Sequence, residues 1–177
     1  MVFAAMAIAL ATVVATVIKL PSLPNGGSVT LFSMLLVTQV GYWYGPGIGI
    51  AAAVGYGILQ FITGPYVVHP VQVILDYPLA FGALGCSGFF AEKKNGLLKG
   101  YLAGVFGRFF FASVSGMIFY TTYAESLKES LVAVWAGLVY NMTYIVPETV
   151  LTVILISLPA VKLAFVKMKE MATNAQG

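Results

Sequence analysis

Of the 177 residues, 60% belong to the set AVILMFWYC and only 8% are charged, with a mean hydropathy of +0.94, whereas soluble domains carry about 25% charged residues. Too little polar surface remains to cover a water-soluble globule, and the expected fold class is all-α, an integral membrane bundle. The net charge of +3 and pI near 9.0 do not imply a nucleic-acid partner, because the basic residues sit where they set membrane topology.

A crossing helix needs about 20 apolar residues, so the length allows six or seven crossings and no sizeable soluble domain, and the chain is read as one six-helix domain over 1–177. Punctuation by Pro, Gly, Asn and charge separates apolar segments at 1–18, 29–44, 47–62, 70–91, 97–120 and 131–161. The first lacks a charged leader and is read as a retained transmembrane helix, with a polar stub expected ahead of it. Its Ala5, Ala9 and Ala11 give small-residue spacing, as do Gly100, Gly104 and Gly107 in the fifth segment. Such spacing serves close packing inside the bundle or, on an outward face, docking of another membrane protein. The break between the second and third segments rests on Gly45-Pro46-Gly47.

Lys93, Lys94, Lys99, Lys162, Lys167 and Lys169 fall on one side of the resulting topology and Lys19 and Lys128 on the other. Lys and Arg in short loops stay cytoplasmic, so both termini are expected inside. Loops 19–28, 63–69 and 121–130 then lie outside, with Asn25-Gly26-Gly27, Gly64-Pro65-Tyr66 and residues 125–129 covering an outward pocket.

Ionisable groups within a bilayer cost about 2.5–3.5 kcal/mol on insertion scales, so they face the bundle interior and mark a site or a pairing. Asp76, Arg108 and Glu148 qualify. Asp76 and Arg108 either pair to join two helices or leave Asp76 to recognise a cation, and its neighbours Tyr66, His69, Gln72 and Tyr77 favour recognition. Glu148 follows Pro147, whose helix kink is a structural reason for a polar neighbour. His69 is the only histidine and Cys86 the only cysteine; neither a metal cluster, a P-loop nor a nucleophile elbow is present. No cofactor is expected, and catalysis has no visible machinery.

Several stretches carry a family signature: residues 23–30, LPNGGSVT; 56–60, YGILQ; 69–72, HPVQ, leading to 75–82, LDYPLAFG; then Arg108-Phe109-Phe110, residues 115–119 (SGMIF), Tyr123-Ala124, and Tyr140-Asn141 with Tyr144. In this order the chain strongly resembles the thiamine-binding substrate component, the ThiT/YuaJ family, of energy-coupling factor transporters. The resemblance implies a multi-pass protein of the prokaryotic plasma membrane that captures thiamine from outside and docks on a transmembrane coupling protein driven by two cytoplasmic ATPases. ATP hydrolysis would then belong to the partners. Ala5 and Ala9 match the alanine motif used for that docking. Asp76 matches the acidic ligand-binding residue, with Tyr77 following it; Tyr66 matches a loop tyrosine near the ligand, Gly116 a glycine that leaves it room, and Asn141 an asparagine that hydrogen-bonds it. Tyr120 falls where some members stack a tryptophan, and Arg108 matches a basic residue that would meet a ligand phosphate.

Ala112 replaces a histidine of some members, Ala136 a tyrosine, and a tryptophan is missing near Gly27. Trp135 and Tyr144 are the residues expected to restore aromatic surface, and ligand binding is expected to quench tryptophan fluorescence. The departures keep open a related pyrimidine or another vitamin as ligand. From a different class, an intramembrane enzyme using Asp76, His69 or Glu148 as acid or base, or a purely structural subunit, are the other readings weighed.

Overall fold

Glycine sets how the helices meet. Helix α2, Ser33–Tyr44, turns through Gly45, at φ +83°, into α3, Pro46–Thr63, whose proline opens the helix where no N–H is needed. A Cβ at Gly85 would lie 2.3 Å from the backbone of Gly49, so the helix carrying Gly85 packs on α3 main chain to main chain. The computed structural model describes residues 1–18, 29–67, 69–121 and 126–174, with only the backbone of residues 120, 121 and 127. Asn25-Gly26-Gly27, Lys19, Tyr123 and Glu125 lie outside the described residues.

Helix α1 spans Val2–Val17. The fourth element, α4, Pro70–Phe90, is one apolar rod of changing pitch: α-helical at Pro70–Ile74, π-helical at Leu75–Leu79, α-helical at Ala80–Gly82 and 3₁₀ at Ala83–Phe90. Pro78 lies in the π turn; it has no N–H to donate and in an α-helix its ring would crowd the carbonyl four residues earlier, at Ile74, so a widened turn relieves both. Helix α5 spans Gly96–Thr121, α6 Leu127–Ser157 and α7 Pro159–Asn174.

Among the described residues, four helices, in α3, α4, α5 and α6, have the length and hydropathy to cross a membrane. Helix α1 has 16 residues and α2 only 12, α2 beginning at Ser33 after a non-helical entry at 29–32 that ends in a left-handed Phe32, where the sequence predicts helix from residue 29. The last segment also differs from its expected 131–161 span. Leu158 is extended, with ψ 126°, ahead of Pro159, which disfavours helix in the residue before it; the basic tail beyond is a helix of its own.

Both termini share one end of the bundle. The Phe3 ring meets Trp43 edge-on at 6.4 Å. Lys169 Nζ lies 4.8 Å from the Tyr42 ring and donates to Ala91 O and Glu92 Oε1, while Lys162 Nζ donates to Asn95 Oδ1. This is the end that carries the lysine majority.

The small-residue stripes divide by face. Gly100, Gly104 and Gly107 close on Ser87, Leu84 and Ala83 of α4, so they are internal packing. In α1 the buried alanines are Ala4, Ala7, Ala11 and Ala15, whereas Ala5 and Ala9 are exposed on the outward face.

Candidate functional site

The π turn places Asp76 half-buried on the wall of a cavity of about 180 Å³ enclosed by all the helices except α7. Ser115 and Gln72 face its carboxylate. The π turn itself rests on α3: a Cβ at Gly57 would stand 2.4 Å from Tyr77 O, and Tyr56 meets Phe81 edge-on at 5.2 Å.

Arg108 reaches the same cavity from α5. Its guanidinium carbon lies 4.3 Å from the Phe81 ring centroid, a cation–π contact. Among the described residues the one ion pair within 4 Å is Lys169–Glu92, so Arg108 and Asp76 are not a helix-joining pair. The Asp76 carboxyl lines the cavity with no ion-pair partner within 4 Å among the described residues.

On the opposite wall Asn141 is held from three sides. Its Nδ2 donates to Ala112 O at 3.0 Å and Gly137 O at 2.9 Å, and its Oδ1 accepts from Tyr144 Oη. Both amide protons are thereby used, and the amide can offer a ligand only acceptor capacity at Oδ1. Gly116 allows this arrangement, since a Cβ there would sit 3.2 Å from Asn141 Nδ2.

Towards the outer end, Tyr77 Oη accepts from the N–H of Tyr66 at 2.9 Å and donates to Gly64 O at 3.3 Å, so Tyr77 pins the loop that carries Tyr66 onto the cavity wall. His69 plays a local part: its Nδ1 accepts from Val71 N at the start of α4, and it is absent from the cavity lining.

The cavity therefore gathers Asp76, Tyr77, Tyr66, Asn141, Gly116 and Arg108; the Tyr120 side chain lies outside the described residues. Tyr144 lines it, but Trp135 is 67% exposed on the bundle surface. Trp43 is packed on Phe3 at the inner end, so neither tryptophan of the chain is on the cavity wall and the expected quenching loses its basis. Ala136 is exposed, and Tyr140, one turn further along α6, lines the cavity. Sequence reasoning left out Thr30, Ser33, Gln60, Phe81 and Ser115 as site residues. The buried Gln60 Nε2 has no hydrogen-bond partner among the described residues, and a glutamine in an apolar helix was the signal for it.

The sequence matches the family described as "Thiamine transporter protein (Thia_YuaJ)" over residues 1–167. This chain belongs to that family. It is 31% identical to the thiamine transporter ThiT of Bacillus subtilis over 151 residues, 77% of each chain. It is also 31% identical to that of Lacticaseibacillus paracasei over 113 residues, 56% of this chain and 54% of the relative. A solved structure described as ThiT from Listeria monocytogenes superposes with a TM-score of 0.64 at 21% identity, covering 90% of this chain and 94% of that one, and shares its fold. Family membership makes the chain a multi-pass cell-membrane transport component rather than an enzyme.

Proposed function

We propose that this chain captures thiamine from outside the cell with high affinity and delivers it by docking on the transmembrane coupling protein of an energy-coupling factor transporter, powered by two cytoplasmic ATPases. The observation that carries the ligand reading is a carboxylate, Asp76, left without an ion-pair partner among the described residues in a cavity walled by Tyr56, Phe81, Phe119, Tyr140 and Tyr144. Thiamine presents a fixed thiazolium cation and a flat aminopyrimidine. A carboxylate in a poorly solvated site pairs with the first, and aromatic walls stack on both rings and gain cation–π energy of about 0.5–2 kcal/mol per contact.

The free acceptor capacity of Asn141 Oδ1 suits the exocyclic amine of the pyrimidine, which can only donate. Gln60 Nε2 offers a donor to a ring nitrogen. Arg108 would repel the thiazolium, so it favours a pose in which the oxygen-bearing arm, or a phosphate on it, turns its way. The exposed Ala5 and Ala9 face of α1 supports the docking reading, because an outward small-residue seam lets a partner helix approach closely.

Isothermal titration calorimetry of the purified chain with thiamine tests the ligand, and saturable heat with a rise in melting temperature is expected. Absence of both at micromolar thiamine rejects it. Ala112, on the cavity wall where some relatives have histidine, favours a second reading, a pyrimidine ligand; competition by hydroxymethylpyrimidine as strong as by thiamine would select that reading.

A further inference from the structure

Glu148 is 2% exposed and lies two helical turns beyond Asn141 on the same face of α6. Its Oε2 accepts from Thr30 Oγ1 at 3.0 Å, and its Oε1 accepts from Ser33 Oγ at 3.3 Å and from Met34 N at 3.0 Å. The amide of Met34 can only donate, and it belongs to the first turn of α2, so a carboxylate from another helix caps this N-terminus. Thr30 and Ser33, themselves 2.6 Å apart, are cavity-lining residues. Between them Phe32 has φ +64°, a left-handed conformation that costs a bulky residue energy and persists only where its surroundings hold it.

Arg108 stands within electrostatic reach of both Glu148 and Asp76, and Tyr56, Tyr101 and Tyr144 face the same group of charges. No ion pair within 4 Å joins Arg108 to either carboxylate among the described residues. With both carboxyls ionised, two carboxylates against one guanidinium leave this cluster, in which Glu148 stands behind the cavity-lining Thr30 and Ser33, one negative charge in excess. A ligand with one positive charge brings the sum to zero, and a neutral ligand leaves the excess uncompensated in a site where water screens poorly.

We propose that Glu148 is a positioning residue that makes this cavity select a singly charged cation: it offsets Arg108 and anchors the Thr30–Ser33 turn, which leaves the charge of Asp76 to the ligand. The proposal rests on the reading of the cavity as a thiamine site. Glu148 need not touch the ligand, since it acts through Arg108 and through the turn.

The test measures Kd for thiamine and for its neutral isostere, in which a thiophene replaces the thiazolium, and compares the ratio between variants. Glu148→Gln keeps the shape and removes the charge; the preference for the cation should fall by roughly tenfold. Arg108→Gln shifts the balance the other way, and the preference should rise. Thr30→Val loses one donor to the carboxylate and keeps every charge, so both ligands should weaken together with the preference retained. An unchanged preference in Glu148→Gln, whether or not both ligands weaken, overturns the proposal; should that variant not fold, an unchanged or lowered preference in Arg108→Gln does so. Wild-type protein that binds neither ligand overturns the thiamine reading and this one with it, whereas wild-type binding with an unchanged preference in the variant overturns only the role of Glu148.

Discussion

Tyr77 Oη accepts a hydrogen bond from the backbone N–H of Tyr66 at 2.9 Å, so one phenol on the π turn of α4 fixes the outer loop beside the cavity. Tyr77→Phe retains the edge-on contact with Phe61, 5.1 Å between centroids, and loses the tie. A net hydrogen bond is worth about 1 kcal/mol, so ligand affinity should fall roughly fivefold, through faster release. Stopped-flow displacement measures this, and an unchanged release rate removes the loop tie from the account.

Asp76 carries the charge complementarity in this reading. Asp76→Asn keeps the volume and should weaken thiamine by about 2–5 kcal/mol, the usual cost of deleting one partner of a desolvated charge pair. Calorimetry decides, and an affinity within about threefold of wild type would exclude Asp76 from the site.

Gly57→Ala places a methyl 2.4 Å from Tyr77 O and 3.1 Å from Phe81 Cβ. Backbone on backbone cannot yield cheaply, so a loss of about 1–3 kcal/mol of stability is expected, accompanied by weaker binding because the π turn is displaced. Gly47→Ala, with nothing within 4 Å, is the control and should leave the melting temperature unchanged. Equal melting temperatures for the two variants would contradict the close approach.

Ala5→Trp together with Ala9→Trp alters only an exposed face of α1. The isolated chain should bind thiamine as before, while ATP-dependent uptake with the coupling module should be lost. Retained uptake would move the docking seam elsewhere.

Lys169 donates to Glu92 at 2.7 Å, and that hydrogen bond and charge hold the Glu92 carboxyl below its ordinary value of 4.5. A depressed carboxyl contributes stability above its unfolded pKa and loses it as pH falls through the folded value. The protection of α7 amides, taken relative to the intrinsic exchange rate at each pH, should therefore fall as the pH drops below the usual glutamate range, slightly, because the pair is open to water. In Glu92→Gln that acid-dependent step should vanish; its persistence would assign the effect to another group.

Much of this architecture is legible in the chain. Pro46, Gly64 and the Asn95-Gly96 pair bound α3 and α5 almost where the structure does, because each removes a hydrogen bond or supplies a turn. The start of α2 is not legible: residues 29–32 are as apolar as the helix that follows, and the group that meets the start of the helix through Thr30, Ser33 and Met34 is Glu148, 118 residues from Thr30. The π turn at Pro78 and the second helix after Pro159 depend on what surrounds each proline, which periodicity does not record. In the site, Asp76, Arg108 and Asn141 stand out because lipid does not tolerate them unassisted. Trp135 was misplaced because hydropathy gives depth in the membrane and not the face of a helix.

The change of pitch within α4 separates two kinds of heritable variation. The side chains of Gln72, before the π turn, and of Asp76, within it, meet the cavity; below it, Gly85 and Gly88 meet the backbone of α3 and its preceding turn. Substitutions in the outer stretch can retune which molecule is accepted while the inner stretch, where even one added methyl has no room, stays constant. Such a lineage can change its nutrient without rebuilding its scaffold.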